Sequence, residues 1–500
     1  MTSARSSYSK WLGVVRRPGL TSRAVPSAPA VRSAYVRRIF DDGRGDERTS
    51  HLQYSLLEGM HRSRPVHHNS NAANEFVALQ CRVLTAPHRY VADCGFAEFY
   101  LRFLKSLSAK QTIRPVPFAE YIQRSGASRS VKRRLIATKE RLRSEGINHD
   151  SNLEGLASKW ATRKAFVKVE NLCLNFEGHV TDKAPRLIQG AAPEFICLVG
   201  PWIMALQDHI GGLELERTHR VCFAPARTNV AVGEFFESEV QRRILENDFS
   251  AYDGSIDESL LKSEVEWFKY MGAPRAVLQL TAANCITRGV TSNGWKYGRR
   301  GMRKSGDPYT TLCNSLLNAA AHKFLAPESS VIVAGDDCVC FYDKEPVGGW
   351  DFSALGFKVT AIKRDDPREA EFCSSMWSTD AKSFVPKVGR TLAKLGYMVS
   401  PPLSIPPDQI MRGVAMSTSY LHSTRIFKSV ANLIFNRFGT GKIHFEATRP
   451  WLAECRDLRC ADIDIKHRYG LGDVEYQRLC DQIELGQESA LQYVINIDLA

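Results

Sequence analysis

The segment 331–342 limits the fold more than any other stretch of this chain. Two β-prone apolar runs, 331–333 and 338–342, flank Gly335, Asp336 and Asp337, an order that predicts a hairpin with acids at its tip. Adjacent carboxylates repel, and between two hydrophobic strands that repulsion is a cost unless a cation neutralises it. A chain of this length meets Gly-Asp-Asp by chance about one time in ten at ordinary residue usage. The flanking strands therefore carry the inference of a metal site on a sheet.

Two more constellations lie within the preceding hundred residues. In Asp248-Phe-Ser-Ala-Tyr-Asp253, the β-prone residues 243–245 lead into Asp248, which falls at a strand's C-terminal end. Ser255 with Glu258 has the spacing of a capping box, so Asp253 falls just before a helix whose apolar face is Leu260, Leu261, Val265 and Phe268. Two carboxylates at such a turn suit a hard cation, since Mg²⁺ takes one or two carboxylates plus phosphate oxygens. The other constellation runs from Gly301 to Asn314. Glycines 301 and 306 permit a close-approaching loop, and Asp307-Pro308 fits an N-cap followed by the first helical position. Thr310 and Asn314 then share one helix face with Leu317 and Ala321. A loop feeding a helix with two polar residues on one face can read a sugar edge.

Composition narrows the partners. The 500 residues are 44% apolar, enough for a large core of two or three lobes, and the formal net charge is +13, which favours a polyanion: nucleic acid or an anionic membrane surface. The thirteen cysteines form no CxxC pair, so neither a zinc cluster nor a disulfide framework is expected, and a reducing intracellular setting fits best. No apolar run is long enough to cross a bilayer; 195–206 is expected as a core helix.

The first forty residues contain no acid but seven arginines, among them Arg16, Arg17, Arg37 and Arg38. That composition suits a mitochondrial transit peptide, equally a basic arm that touches RNA, or a flexible tail of no special function. Residues 74–125 are expected to be mostly helical. In 128–143, Val131, Leu135 and Leu142 keep helical spacing among many basic residues, so the opposite face either meets phosphates or is simply solvated. Between 161 and 200 basic and apolar residues interleave, with short strands at 165–169 and 186–188. Beyond Leu392 the chain is expected to be helical.

Taken together these residues resemble the palm of positive-strand RNA virus polymerases. Asp248-x4-Asp253 is similar to motif A, Ser305-Gly306-x3-Thr310-x3-Asn314 to motif B and Gly335-Asp336-Asp337 to motif C. Residues 355–363 resemble motif D, Glu371-Phe-Cys-Ser374 motif E, 183–188 the basic motif F, and 128–134 motif G. The Ser-Gly-Asp of motif B and the Glu-Phe-Cys of motif E are similar to tombusvirus-like and nodavirus-like enzymes. The likeness covers about 125–400. Motif D matches loosely, leaving its proton-donating lysine as Lys363, Lys358 or neither.

The resemblance implies an α+β right hand. Its parts would be an unstructured basic arm over 1–73, fingers over 74–240, a palm over 241–390 with a fingers insertion near 270–300, and a helical thumb with the C-terminal region over 391–500. It implies template-directed RNA synthesis from NTPs with two Mg²⁺ or Mn²⁺ ions on Asp248, Asp336 and Asp337. Asp253, Ser305, Gly306, Thr310 and Asn314 would surround the ribose, and Lys168, Lys183 and Arg186 would grip the triphosphate. Template, nascent RNA and membrane-associated replication proteins are the implied partners, in host cytoplasm at a membrane-bound replication complex. A reverse transcriptase would instead carry a bulky residue in place of Asp253, and a decayed, non-catalytic scaffold would lack a metal carboxylate. Fusing residues 1–60 to a fluorescent protein tests the arm: organelle-confined fluorescence is expected of a targeting segment, and a diffuse signal argues against targeting.

Overall fold

The computed structural model describes residues 12–17, 20–26, 30–39, 49–54, 67–85, 94–170, 172, 183–394, 397–399, 404–418, 421–443, 458, 460–486 and 491–499. Among these the strands are, in chain order, β1 (Leu12–Arg17), β2 (Tyr35–Arg38), β3 (Thr49–Tyr54), β4 (Arg163–Val167), β5 (Leu187–Gly190), β6 (Val221–Phe223), β7 (Arg243–Ser250) and β8 (Ile286–Thr291). They continue with β9 (Trp295–Arg300), β10 (Ser330–Ala334), β11 (Asp337–Tyr342), β12 (Lys358–Arg364), β13 (Glu371–Phe372), β14 (Ser375–Ser378), β15 (Ser383–Pro386) and β16 (Tyr397–Val399). Helices occupy much of the rest, so the class is α+β.

The central sheet has the order β12-β7-β11-β10-β6. Its middle strands are apolar on both faces, the pattern of strands covered on two sides. Leu245, Phe249, Val331, Val333, Cys338 and Cys340 pack into the main core with the helices Phe96–Ser106, Glu258–Tyr270 and Thr310–Leu325. The alternate residues Ile244, Ile332, Val339 and Phe341 join a second cluster with Phe236, Trp377 and Phe384. The expected hairpin is present: β10 and β11 pair from Ser330–Phe341 to Ala334–Asp337, leaving Gly335 and Asp336 as the two-residue loop. Gly335 sits at φ +69°, and glycine first in such a loop matches the twist of the flanking strands.

A second five-stranded sheet, β2-β9-β8-β4-β5, lies beside the loop that precedes the Thr310–Leu325 helix, touching it through a Gly190–Gly306 bridge. A small sheet, β13-β14-β15, stacks Trp377 on Phe236 of the Asn229–Glu239 helix, centroids 4.0 Å apart. The C-terminal helices form a separate core around Phe427, Ile434, Tyr476 and Ile495.

Several sequence expectations change. The described part of 1–73 is not an unstructured arm. β2 pairs with β9, β1 and β3 pair with each other, and β3 pairs with β16; these partners lie far along the chain, where local composition gives no sign of them. The boundary expected at 240 is crossed by β6, which pairs in parallel with β10, and the C-terminal core begins at Met376 rather than 391. Within 74–125, residues 107–117 carry no helix. Ser255 caps no helix: it ends the short turn Tyr252–Ser255, and Asp257 caps Glu258–Tyr270 by accepting from the Ser259 N–H. The core helix expected at 195–206 is present as Pro193–Gly211.

The C-terminal helix Leu491–Leu499 comes very close to the Val388–Lys394 helix. A Cβ on Gly389 would lie 2.0 Å from the Val494 carbonyl, and Asp498 accepts from the Gly389 N–H at 2.8 Å and from Tyr469 at 2.6 Å. Gly389→Ala is expected to destabilise the protein by about 1–3 kcal/mol through overpacking. Denaturant titration reads the loss, and an unchanged midpoint would refute the close packing.

Candidate active site

β7 delivers Asp248 to the end of the central sheet, exposed at the strand's edge. The chain then turns at Ala251, held at φ 52°, a left-handed conformation that costs a non-glycine residue about 1–2 kcal/mol. That turn swings Asp253 back towards the sheet. Asp253 accepts from Asn314 Nδ2 at 2.9 Å, and the neighbouring Tyr252 hydroxyl donates to the Asn314 carbonyl at 3.0 Å. Burial raises the Asp253 pKa and nearby Asp336 adds to the rise, against the opposing pull of Asn314 and Arg303.

The hairpin tip is gripped by the Thr310–Leu325 helix. The Gly335 N–H donates to Ser315 Oγ at 2.7 Å, and Asn318 Nδ2 donates to the carbonyls of Gly335 (3.2 Å) and Asp336 (3.0 Å). β11 pairs Cys338 with Asn247, so one further step along the register sets Asp337 opposite Asp248. Burial and the Asp336 and Asp248 charges push the Asp337 carboxyl up to about 6, despite a thiol hydrogen bond from Cys373 at 3.6 Å. Among the described residues, the carboxylates of Asp248 and Asp336 have no hydrogen-bond or ion-pair partner. No three acid, imidazole or thiol groups there close into a complete metal-binding group; the acids converge without chelating. Hard oxygen donors, mutually repelling and partly unpartnered, fit a divalent cation completed by phosphate oxygens.

The loop before that helix is fixed by backbone contact. A Cβ on Gly306 would lie 2.4 Å from the Gln189 carbonyl, so only glycine lets it approach β5, and Ser305 Oγ reaches the Leu187 carbonyl at 3.5 Å. Thr310 Oγ1 donates to the Lys304 carbonyl at 2.9 Å, closing its own loop. Asp307 is not the N-cap. Its carboxylate is buried against Arg163 and Asn284, both at 2.5 Å, while Tyr309 occupies the cap position without a side-chain bond. A buried guanidinium outcompetes the exposed helix end for that carboxylate.

The basic candidates lie on the β4–β5 edge. Lys168 and Arg186 both pair with Glu170, at 2.8 and 3.3 Å, and the exposed Lys183 lies three residues before Arg186. Lys363 is not brought to the acids. It pairs with Leu245 in register, three positions from the Thr360–Asp248 pair, and its ammonium meets Glu345 at 2.6 Å. Lys358 lies opposite Ser250, nearer the acidic end. In the Arg129–Ser144 helix, capped by Ser128, Leu135 and Leu142 are buried and Arg133, Arg134 and Arg143 face solvent. Sequence reasoning missed Glu170, Ser315, Asn318, Arg303 and Glu264. One signal was available for the last: Glu264 falls at helical spacing between Leu260, Leu261 and Phe268, a charge on an apolar face.

A family model described as RNA dependent RNA polymerase matches residues 179–433, just over half of the chain. The RNA-directed RNA polymerase of Pariacoto virus is 26% identical over 235 residues, covering 43% of this chain and 23% of that protein. That of Tobacco necrosis virus (strain A) is 26% identical over 262 residues, covering 46% and 34%. That of Turnip crinkle virus is 28% identical over 215 residues, covering 38% and 26%. These relatives agree with the tombusvirus-like and nodavirus-like resemblance. The chain spans about a quarter to a third of the length of these curated relatives.

Beside the site, the buried Lys304 has its pKa lowered to about 7 from 10.5 by burial, only partly offset by Asp307. Between those values the unfolded chain binds the additional proton, so stability rises with pH from about 7 towards 10 and is lost as pH falls to 7. Lys304→Met is expected to flatten that slope in denaturant midpoints compared at pH 7 and 9. Parallel slopes for variant and wild type would show that the ammonium is not desolvated.

Proposed function

The chain belongs to the RNA-dependent RNA polymerase family, and from that premise we propose that it extends an RNA strand on an RNA template, replicating a positive-strand genome from nucleoside triphosphates. The observation that carries the reading is the meeting of Asp248, Asp336 and Asp337 at one end of a sheet, the carboxylates of the first two without partners among the described residues. In the right-hand layout, the central sheet is the palm, the β2-β9-β8-β4-β5 sheet belongs to the fingers, and the C-terminal helices are the thumb.

Asp248 and Asp336, with Asp337 beside them, would hold two Mg²⁺ or Mn²⁺ ions, which supply charge neutralisation for the attacking and leaving oxygens of phosphoryl transfer. The protein's own part is positioning. Ser315 and Asn318 fix the hairpin tip by its backbone, so Asp336 and Asp337 keep their height against Asp248 while the substrate comes and goes. Asp253, with Asn314 and Ser305 nearby, presents an acceptor to the ribose 2′-hydroxyl, the group that separates RNA from DNA. Lys168 and Arg186 exchange Glu170 for the triphosphate, joined by Lys183, because the triphosphate offers more charge and a better match to the guanidinium fork. Lys358 is better placed than Lys363 to donate a proton near the acids.

RNA template, nascent strand and NTPs are the partners this reading needs. Among the described residues no helix is long and apolar enough to cross a membrane, so work at a membrane-bound replication complex in host cytoplasm would depend on associated replication proteins or on the acid-free first forty residues.

Incubation with homopolymer RNA, labelled NTP and Mg²⁺ or Mn²⁺ tests the reading. Asp336→Ala is expected to reduce incorporation to background with an unchanged circular-dichroism spectrum, and wild-type incorporation by that variant would overturn it. Asp253→Ala is expected to weaken NTP-over-dNTP selection by about 1–3 kcal/mol, the loss for an unpaired hydroxyl.

A further inference from the structure

Behind the ribose-sensing residues lies a pair of buried charges to which the family motifs give no role. Arg303 and Glu264 have side-chain exposures of 0% and 2%. Arg303 Nη1 donates to Glu264 Oε2 at 2.7 Å, Nη2 donates to Oε1, and the Tyr100 hydroxyl adds a third bond to Oε1 at 3.1 Å. A buried ion pair is weak evidence for stability, because apolar residues of similar volume often serve as well. Its value must lie in direction.

The direction is set by Arg303 Nε, which donates to Asn314 Oδ1 at 2.9 Å. A guanidinium only donates, so the amide of Asn314 must turn its oxygen to Arg303 and its nitrogen away. That nitrogen donates to Asp253 Oδ1 at 2.9 Å, and the Arg303 N–H fixes the Asp253 carbonyl at 3.0 Å. One carboxylate oxygen of Asp253 is thereby occupied, and Oδ2 has no hydrogen-bond partner among the described residues.

We propose that Arg303, locked by Glu264, is the positioning residue for sugar selection: through Asn314 it aims the free oxygen of Asp253 as an acceptor for the 2′-hydroxyl of the incoming nucleotide. This rests on the polymerase reading of the site and names what orients its sugar sensor. Without the Glu264 lock the guanidinium can rotate, the Asn314 amide can flip, and Asp253 loses its fixed acceptor.

The test compares kcat/KM for an NTP and its matching dNTP in wild type, Glu264→Gln, and the paired apolar replacement Glu264→Leu with Arg303→Met. The paired variant removes both charges together, so no unpaired charge is left buried and thermal melting is expected to stay near that of wild type. NTP incorporation is expected to fall about tenfold, chiefly through KM, while dNTP incorporation stays within about twofold, because a substrate without the hydroxyl has no contact to lose. Glu264→Gln, which keeps the shape and removes the charge, is expected to move the ratio in the same direction and keeps the test decisive if the paired variant does not fold. A folded variant with the wild-type ratio, or one in which NTP and dNTP fall together, overturns the proposal and leaves the pair as packing. A wild type that incorporates neither nucleotide sinks the polymerase reading and this proposal with it.

Discussion

Crowding acids onto one end of a sheet is electrostatically unfavourable, and the structure depends on how that end is held. The hold comes from a neighbouring helix and not from the acids' own side chains. Ser315 and Asn318, one turn apart on the Thr310–Leu325 helix, bond the backbone of Gly335 and Asp336, while Asn314 on the same helix bonds Asp253. Two carboxylates, Asp248 and Asp336, therefore stay free of partners among the described residues. The tip is held by a helix whose residues 312–323 are all buried. Burial and the charges of Asp336 and Asp248 raise the Asp337 pKa, and a cation would relieve that repulsion.

The same helix is steadied at its start by a polar interior. Arg163 bonds Asp307 and Asn284, Asn284 bonds Tyr309, and Lys304 bonds the Asn284 carbonyl. Arg303 and Glu264 stand beside them. Arg163, Arg303 and Lys304 face only Asp307 and Glu264 as buried acids in this group, so the group carries an excess of positive charge. The lysine yields most easily, since an ammonium loses its proton where a guanidinium does not, in keeping with a Lys304 pKa near 7. Conformational specificity is what such a costly interior provides. Met302 and Tyr309 anchor the loop from Gly301 to Tyr309 in apolar clusters, and fixed-direction charge pairs set the polar residues between them.

The parts of this architecture legible in the sequence were those whose signal is local. The 330–342 hairpin, the apolar face of the Glu258–Tyr270 helix and the amphipathic Arg129–Ser144 helix follow from periodicity and turn residues, and all are present. The capping assignments at Ser255 and Asp307 failed for one shared reason. A short polar side chain before a helix has the right chemistry for a cap, but a long-range partner or an additional turn can claim the position first. The strands within 1–73 were hidden because β2 finds its partner about 260 residues away, in β9. Arg303 falls inside the Gly301–Asn314 stretch, but its role is not legible there, since the meaning of its charge depends on Glu264, 39 residues earlier.

The close approach of Gly306 to the Gln189 carbonyl ties these levels together. Because β5 carries Leu187–Gly190 and directly follows Arg186, the backbone that supports the basic edge is the one the Gly301–Tyr309 loop rests on. Ser305 reaches the Leu187 carbonyl, and Lys168 bonds the Arg186 carbonyl through its backbone N–H at 2.7 Å. The candidate phosphate-binding charges and the Gly301–Tyr309 loop are thus linked through backbone contacts to β5. Arginine and lysine side chains alone would attract any polyanion. Under the proposed function they would be spaced from the Asp253 carboxylate so as to favour a triphosphate attached to a ribose, a spacing that depends on residue 306 lacking a Cβ.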